Sequence, residues 1–343
     1  MERYLQLSQD EQRLLCEQAQ AKLGFPPATV EKDFWVCWTL RELFNLPVWG
    51  KELTFKGGTS LSKAWKLIRR FSEDIDIIIS REFLGFSGAQ SPEKTLSAKK
   101  TRERLTNLKE TCGQRIREAL LPLLRQSLAN QLSGYSNWSL AMAPISEDAD
   151  QQTILFHYPT ALPNATAYIR PAVKIELGAR SDHEPSQSAG ICSYVQEIFP
   201  DLLGADTFAI QTLSPERTFL EKAMLLHEET YRPAGKKRRP RMARHYYDLW
   251  SLIKAGIGAK AAADDELFDF IVEHRKVFFK WSWMDYGTLK PSSIRLCPPA
   301  TQIQAWRHDY QIMRPEMFYG EVPTFDEIMA TVKEFEQTWR RQG

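Results

Sequence analysis

Leu53-Thr-Phe-Lys-Gly-Gly-Thr-Ser-Leu-Ser-Lys-Ala-Trp-Lys-Leu-Ile-Arg-Arg-Phe-Ser-Glu-Asp-Ile-Asp-Ile-Ile-Ile79 is the stretch on which the fold turns. Leu53–Lys56 is a short strand-like run, and Gly57-Gly58-Thr59-Ser60 has the composition of a tight turn opening a helix. Leu61–Arg70 carries apolar residues at helical spacing, and Asp74–Ile79 returns to a strand pattern. The order is strand, glycine turn, helix, strand. Side chains two apart on a strand share a face, so Asp74 and Asp76 converge while Ile75 and Ile77 point to a core.

Two like charges at the rim of an apolar strand are costly unless a cation joins them. Oxygen ligands of this kind suit Mg²⁺, which takes one or two carboxylates and completes its shell with water and substrate phosphates. Glycines at positions 57 and 58 let a phosphate approach the backbone closely, and a helix start favours an anion. Either feature alone also has a structural reading, as a strand-to-helix turn or a polar lead into a strand. Together they point to phosphate chemistry. Glu176, in Val173-Lys174-Ile175-Glu176-Leu177, is the leading candidate for a third carboxylate, sharing a strand face with Lys174. A solvated charged face is the alternative there.

Working outward, Ser8 to Leu46 reads as two helices broken at Gly24-Phe25-Pro26-Pro27, the second with a core-facing stripe of Phe34, Trp35, Trp38, Leu40 and Leu43. Thr95 to Gln131 reads as one long or two shorter amphipathic helices. Trp138–Met142, Thr153–Tyr158 and Tyr168–Leu177 complete a mixed sheet. After Phe208 the texture turns helical, at 215–231, 242–256, 266–279 and 324–341. The expected architecture is α/β (α+β), with a catalytic domain over 1–205 and a mainly helical domain over 206–343.

The chain's 343 residues and 43% hydrophobic composition allow two such cores. Forty-five Lys and Arg against 43 Asp and Glu leave a net charge of +2, so nucleic-acid binding must be argued from local clusters. One such cluster is Lys236, Lys237, Arg238, Arg239 and Arg241 in an exposed Pro/Gly-bearing loop, which reads equally as an RNA-backbone contact or as a solvated loop. Five scattered cysteines, Cys16, Cys37, Cys112, Cys192 and Cys297, never form a CxxC pair, which suits a reduced protein without structural zinc. No apolar run resembles a signal peptide or approaches the ~20 residues of a membrane span, so a cytoplasmic location is expected. No GxxxxGK[ST] pattern supports a P-loop.

With these residues in view, FKGGTSLSKAWKLIRRFSEDIDI resembles the signature of the AbiEii/AbiGii nucleotidyltransferase toxins, a branch of the DNA polymerase β-like superfamily. EKDFWVCWTLREL, VKIELGAR, SPERTFLEKAMLLHEE and ARHYYDLW resemble further blocks of that family, so the likeness touches residues 30 to 255 in islands. The resemblance implies a polymerase β-like nucleotidyltransferase core. It implies phosphate binding by Gly57, Gly58, Thr59, Ser60 and Lys63, metal binding by Asp74 and Asp76 with Glu176 as third carboxylate, a triphosphate-facing Lys222 and an essential acid at Asp248. Read without the family, Lys222 is either a point charge for a phosphate or an ordinary helix lysine, and Asp248 is the partner of Arg244 one helical turn earlier.

The family further implies a bacterial toxin with a cognate antitoxin protein, an association with phage defence, a nucleoside triphosphate as substrate, Mg²⁺ as cofactor and, in some members, transfer to the acceptor end of tRNA. Two other functions stay open: transfer of a nucleotide to a protein hydroxyl, and a catalytically silent binding module. The paired aspartates argue against the second.

Overall fold

The computed structural model describes residues 1–95, 97–162, 170–204, 206–318 and 320–342. The chain folds as two compact units: residues 1–65 with 71–213, and residues 66–70 with 214–343. The sequence-based division at 205/206 therefore differs from the observed change of unit at Leu213/Ser214. The strand Phe208–Leu213 belongs to the first unit.

In the first unit the described strands build one mixed sheet. They are β1 (Leu53–Lys56), β2 (Ile75–Ile79), β3 (Ser139–Met142), β4 (Thr153–His157), β5 (Ala172–Gly178), β6 (Ser186–Ile191) and β7 (Phe208–Leu213), in the spatial order β3-β4-β5-β2-β1-β7-β6. β2 runs antiparallel to β1 and parallel to β5, and β1 runs parallel to β7. The central strand β2 is buried at Ile75, Ile77, Ile78 and Ile79, each at most 1% exposed, while Asp76 stays half-buried. Burial on both faces explains why this strand reads as an apolar run interrupted by one acid. Tyr168 and Ile169, placed in a strand by the sequence pattern, lie outside the described residues; β5 begins at Ala172.

Two long helices precede the sheet, after a single helical turn at Glu2–Leu5. Gln9–Leu23 starts with a reciprocal Ser8/Glu11 capping box and stops at Gly24, whose φ of 74° ends it in the left-handed region. Pro27–Phe44 opens with Pro at its first position, where no backbone N–H is needed. Its aromatic stripe is core: Phe34, Trp35, Trp38, Leu40 and Leu43 are fully buried, and Trp35 stacks on Tyr158 at 5.4 Å. The charged segment after Thr95 is continuous helix from Ala98 to Gln131, with a π-helical turn at Ile116–Leu120 ahead of Pro122.

The helix expected over Leu61–Arg70 ends early. Helical structure covers Gly57–Lys63, after which Lys66 takes φ 54° and Lys66–Arg70 joins the second unit. The cause is tertiary: Arg70 leaves the helical pattern to bridge Phe318 and to pair with Asp248.

The second unit is helical among its described residues, with long helices Pro215–Thr230, Arg244–Lys254, Asp265–Phe278, Ile303–Met317 and Phe325–Gln342. Ile303–Met317 was not anticipated, its pattern being blurred by Pro315 in the last turn. The unit's core holds Phe219, Tyr246, Trp306 and Trp339, with Tyr246 edge-on to Trp306 at 4.8 Å and Phe219 against Trp339 at 6.2 Å.

Candidate active site

β1 delivers Lys56 to the turn, and Gly57 follows with φ 84°, a conformation open to glycine at little cost. The position is closed to larger residues for a second reason. A Cβ on Gly57 would lie 2.0 Å from Oδ2 of Asp76, so the carboxylate occupies the space that the glycine vacates. Asp76 is set there by register: it stands opposite Lys56 of β1 on one side and Glu176 of β5 on the other. The sheet thus brings the glycine turn, Asp76 and Glu176 together, with Asp74 one residue ahead of β2.

The turn is braced from inside. Thr59 Oγ1 donates to the carbonyl of Asp74 at 2.5 Å and lies 2.9 Å from Ser72 Oγ, and Ser60 Oγ donates to the Gly57 carbonyl at 2.9 Å. Both hydroxyl side chains are fully buried. Thr59 and Ser60 therefore shape the turn, and the half-buried backbone of Gly57 and Gly58 is the part open to a ligand.

Lys63 has a partner within the protein. Its ammonium is buried, 2.8 Å from Asp33 Oδ1, and sits 3.7 Å from the centre of the Tyr194 ring. Burial alone would lower its pKa, but Asp33 outweighs burial and holds the lysine above its ordinary range. It ties the short helix to Pro27–Phe44.

The acids sit among fixed cations. Burial pushes the Asp74 carboxyl above its usual range, and the charges of Glu176 and Glu73 push it further. Lys32 pairs with Glu73 at 2.5 Å, and Lys174 contacts Glu176 directly. Burial disfavours the charged Lys174, yet Glu176, Asp74 and Asp76 together raise its pKa, so all three acids share its field. Among the described residues no group of three or more His, Cys, Asp and Glu side chains stands ready to hold a metal ion. Glu176, expected as the third carboxylate, stands beside Asp76 in the β2–β5 register and contacts Lys174, two residues away on the same strand.

In the second unit Asp248 is fully buried on Arg244–Lys254. It accepts a two-pronged pair from Arg70, with Nε at 2.6 Å and Nη2 at 2.9 Å, and a contact from Lys222 Nζ at 2.9 Å. Burial by itself would raise this carboxyl; Arg70 and Lys222 instead hold it well below the usual carboxylate range. Lys222 is lowered by burial and by Arg70, against the pull of Asp248. His245 Nδ1 lies 3.5 Å from Lys222 Nζ, and burial with that cation keeps the imidazole neutral. The observed partners of Asp248 are thus Arg70 and Lys222, where spacing had suggested Arg244. Arg70 was visible only as one of several charges in the signature, because a partner 178 positions away leaves no periodic trace.

The basic loop divides. Arg238 stacks 3.7 Å over Trp306 and donates to Gln302 at 2.7 Å and to Glu229 at 3.3 Å, and is thereby committed to the fold. The Arg241 backbone N–H donates to Asp309 at 2.7 Å. Lys236, Lys237 and Arg239 are exposed.

This chain is a nucleotidyltransferase. It belongs to the family described as nucleotidyl transferase AbiEii toxin of type IV toxin–antitoxin systems, whose model matches residues 38–331. That membership brings a nucleotide substrate and an antitoxin partner. The structure is similar to that of MenT4, a nucleotidyltransferase toxin from Mycobacterium tuberculosis H37Rv, at 16% identity and a TM-score of 0.42, over 97% of this chain and 93% of that one. No curated protein matches the sequence. Among the described residues no helix is long and apolar enough to cross a membrane.

Proposed function

We propose that the enzyme moves a nucleotide from a nucleoside triphosphate to a hydroxyl of an RNA, such as a tRNA end, in a Mg²⁺-dependent reaction in the cytoplasm, and acts there as a toxin in phage defence. The observation that carries the reading is the seating of Asp76 against Gly57. A carboxylate that fills the missing side chain of a glycine turn places a metal-binding oxygen beside backbone that a phosphate can reach.

The donor set suits magnesium. Asp74 and Asp76 offer oxygen alone, burial and its acidic neighbours destabilise the charged Asp74, and a magnesium ion held by these two carboxylates would supply positive charge to phosphate oxygens. Mg²⁺ bound there would neutralise the phosphates and the departing pyrophosphate. The protein's own contribution is positioning. The Gly57–Gly58 backbone receives the triphosphate, and Thr59 ties the turn to the Asp74 carbonyl and to Ser72. The acceptor oxygen forms a new bond to the α-phosphorus as the bond from that phosphorus to the β-bridging oxygen breaks. Pyrophosphate leaves, and the hydroxyl proton passes to the carboxylate cluster of Asp74, Asp76 and Glu176.

The test is to incubate the purified protein with Mg²⁺, total cellular RNA and each α-labelled nucleoside triphosphate in turn, then to separate RNA from protein. Label on RNA supports the reading and names the nucleotide. Label confined to protein would replace the RNA acceptor with a protein hydroxyl, and no label under any condition would favour a silent binding module.

A further inference from the structure

The segment after helix Asp265–Phe278 puts two tryptophans at the surface. Trp281 is 42% exposed and stacks on Trp283, with ring centres 4.4 Å apart and planes 28° from parallel. The Lys236 ammonium lies 4.2 Å from the centre of the Trp283 ring. Lys236, Lys237, Arg239 and Lys280 are all exposed, and Lys280 directly precedes Trp281.

The pair is held in place. The Trp281 backbone N–H donates to Tyr286 Oη at 3.1 Å, and that hydroxyl meets the Phe279 carbonyl at 2.9 Å and Glu228 at 3.3 Å. Arg275 clamps Glu228 with contacts of 2.8 and 2.6 Å. Of the acids near the patch along the chain, Glu229 is taken up by Arg232 and Arg238, and Asp285 accepts from the Gly287 N–H at 2.9 Å. An indole left 42% exposed and fixed in a cationic frame suits a ligand that stacks and is negatively charged.

We propose that Trp281, backed by Trp283 and Lys236, is a stacking platform for unpaired bases of the RNA acceptor, with Lys236, Lys237, Arg239 and Lys280 carrying its backbone. This rests on the reading that the acceptor is RNA. Unpaired bases expose the faces that indole stacks on, whereas a duplex hides them, and an acidic peptide would meet the lysines without using the ring.

The measurement is fluorescence anisotropy of a fluorescein-labelled single-stranded oligoribonucleotide, free or annealed to its complement, with the full chain. The single strand binds more tightly than the duplex. Trp281→Ala weakens it roughly tenfold, while Trp281→Phe keeps most of the affinity. Replacing Lys236, Lys237 and Arg239 by Gln lowers the slope of log affinity against log salt by about 2. Unchanged affinity in Trp281→Ala, equal affinity for the duplex, or Trp281-dependent capture of polyglutamate in place of RNA would overturn the proposal. The two readings fail separately. RNA labelled equally well by Trp281→Ala, at unchanged KM for RNA, removes the platform and keeps the acceptor. Trp281-dependent RNA binding without label on any RNA keeps the platform and removes the acceptor.

Discussion

At the scale of the residue, Gly57 and Asp76 act as one feature. Gly57→Ala adds a Cβ 2.0 Å from the Asp76 carboxylate at a φ of 84°, so the acid or the turn must move. A displacement of that size costs roughly 100-fold in turnover when it misaligns reacting groups. The variant should keep its helical circular dichroism and lose that factor in nucleotide transfer; full activity would show that the contact does not matter. His227 makes a second prediction. Its fully buried ring lies 3.1 Å from Thr288 Oγ1 and accepts from the Arg295 N–H at 2.8 Å. Burial, with Arg295 and Arg340 nearby, lowers its pKa from 6.5 to about 4. The unfolded chain therefore binds a proton between those values that the folded chain refuses, and stability present above pH 6.5 is lost as pH falls toward 4. The loss is on the order of 3 kcal/mol at most. Urea midpoints against pH should show this slope reduced in His227→Gln relative to the native chain.

At the scale of the element, the strand–turn–helix–strand order was legible because it is local: glycines, alternation and the apolar run of β2 are all written within 27 consecutive residues. What the pattern could not show is where a helix gives way to tertiary demand. Leu61–Arg70 has helical spacing, yet the helix stops at Lys63 because Lys63 is drawn to Asp33 and Arg70 to Asp248. The same long-range pairing hid the partner of Lys63, since Asp33 lies 30 positions away, whereas the Lys174–Glu176 contact joins two residues that the strand alternation already placed on one face. The Asp248 cluster makes its prediction here. Asp248→Asn leaves Arg70 and Lys222 buried without a counter-charge and should cost about 3–5 kcal/mol in urea unfolding. Adding Lys222→Met to that variant should recover part of the loss. An Asp248→Asn protein as stable as the native chain would mean that the three charges do not support one another.

At the scale of the molecule, a near-neutral chain concealed a local division of labour. The net charge of +2 is spread over acids gathered at Asp74, Asp76 and Glu176 and cations gathered around Lys236. Loop charge was readable from the sequence, but the exposed Trp281–Trp283 pair was not. Exposure of an indole depends on packing: Trp35 and Trp38 lie on a helical stripe that reads as core, but nothing in the sequence sets Trp281 apart from the buried Trp306 and Trp339. The expected two-part organisation shifted by one strand, because β7 pairs with β1 across the sheet even though it directly precedes the helical segment. The central claim is that Asp76 holds the metal on which transfer depends. The direct measurement is transfer of α-labelled nucleotide to RNA over a Mg²⁺ titration, for the native chain and for Asp76→Asn, with folding checked by circular dichroism. The account predicts Mg²⁺-dependent label with the native chain and none with folded Asp76→Asn at any magnesium concentration; undiminished label with that variant would contradict it.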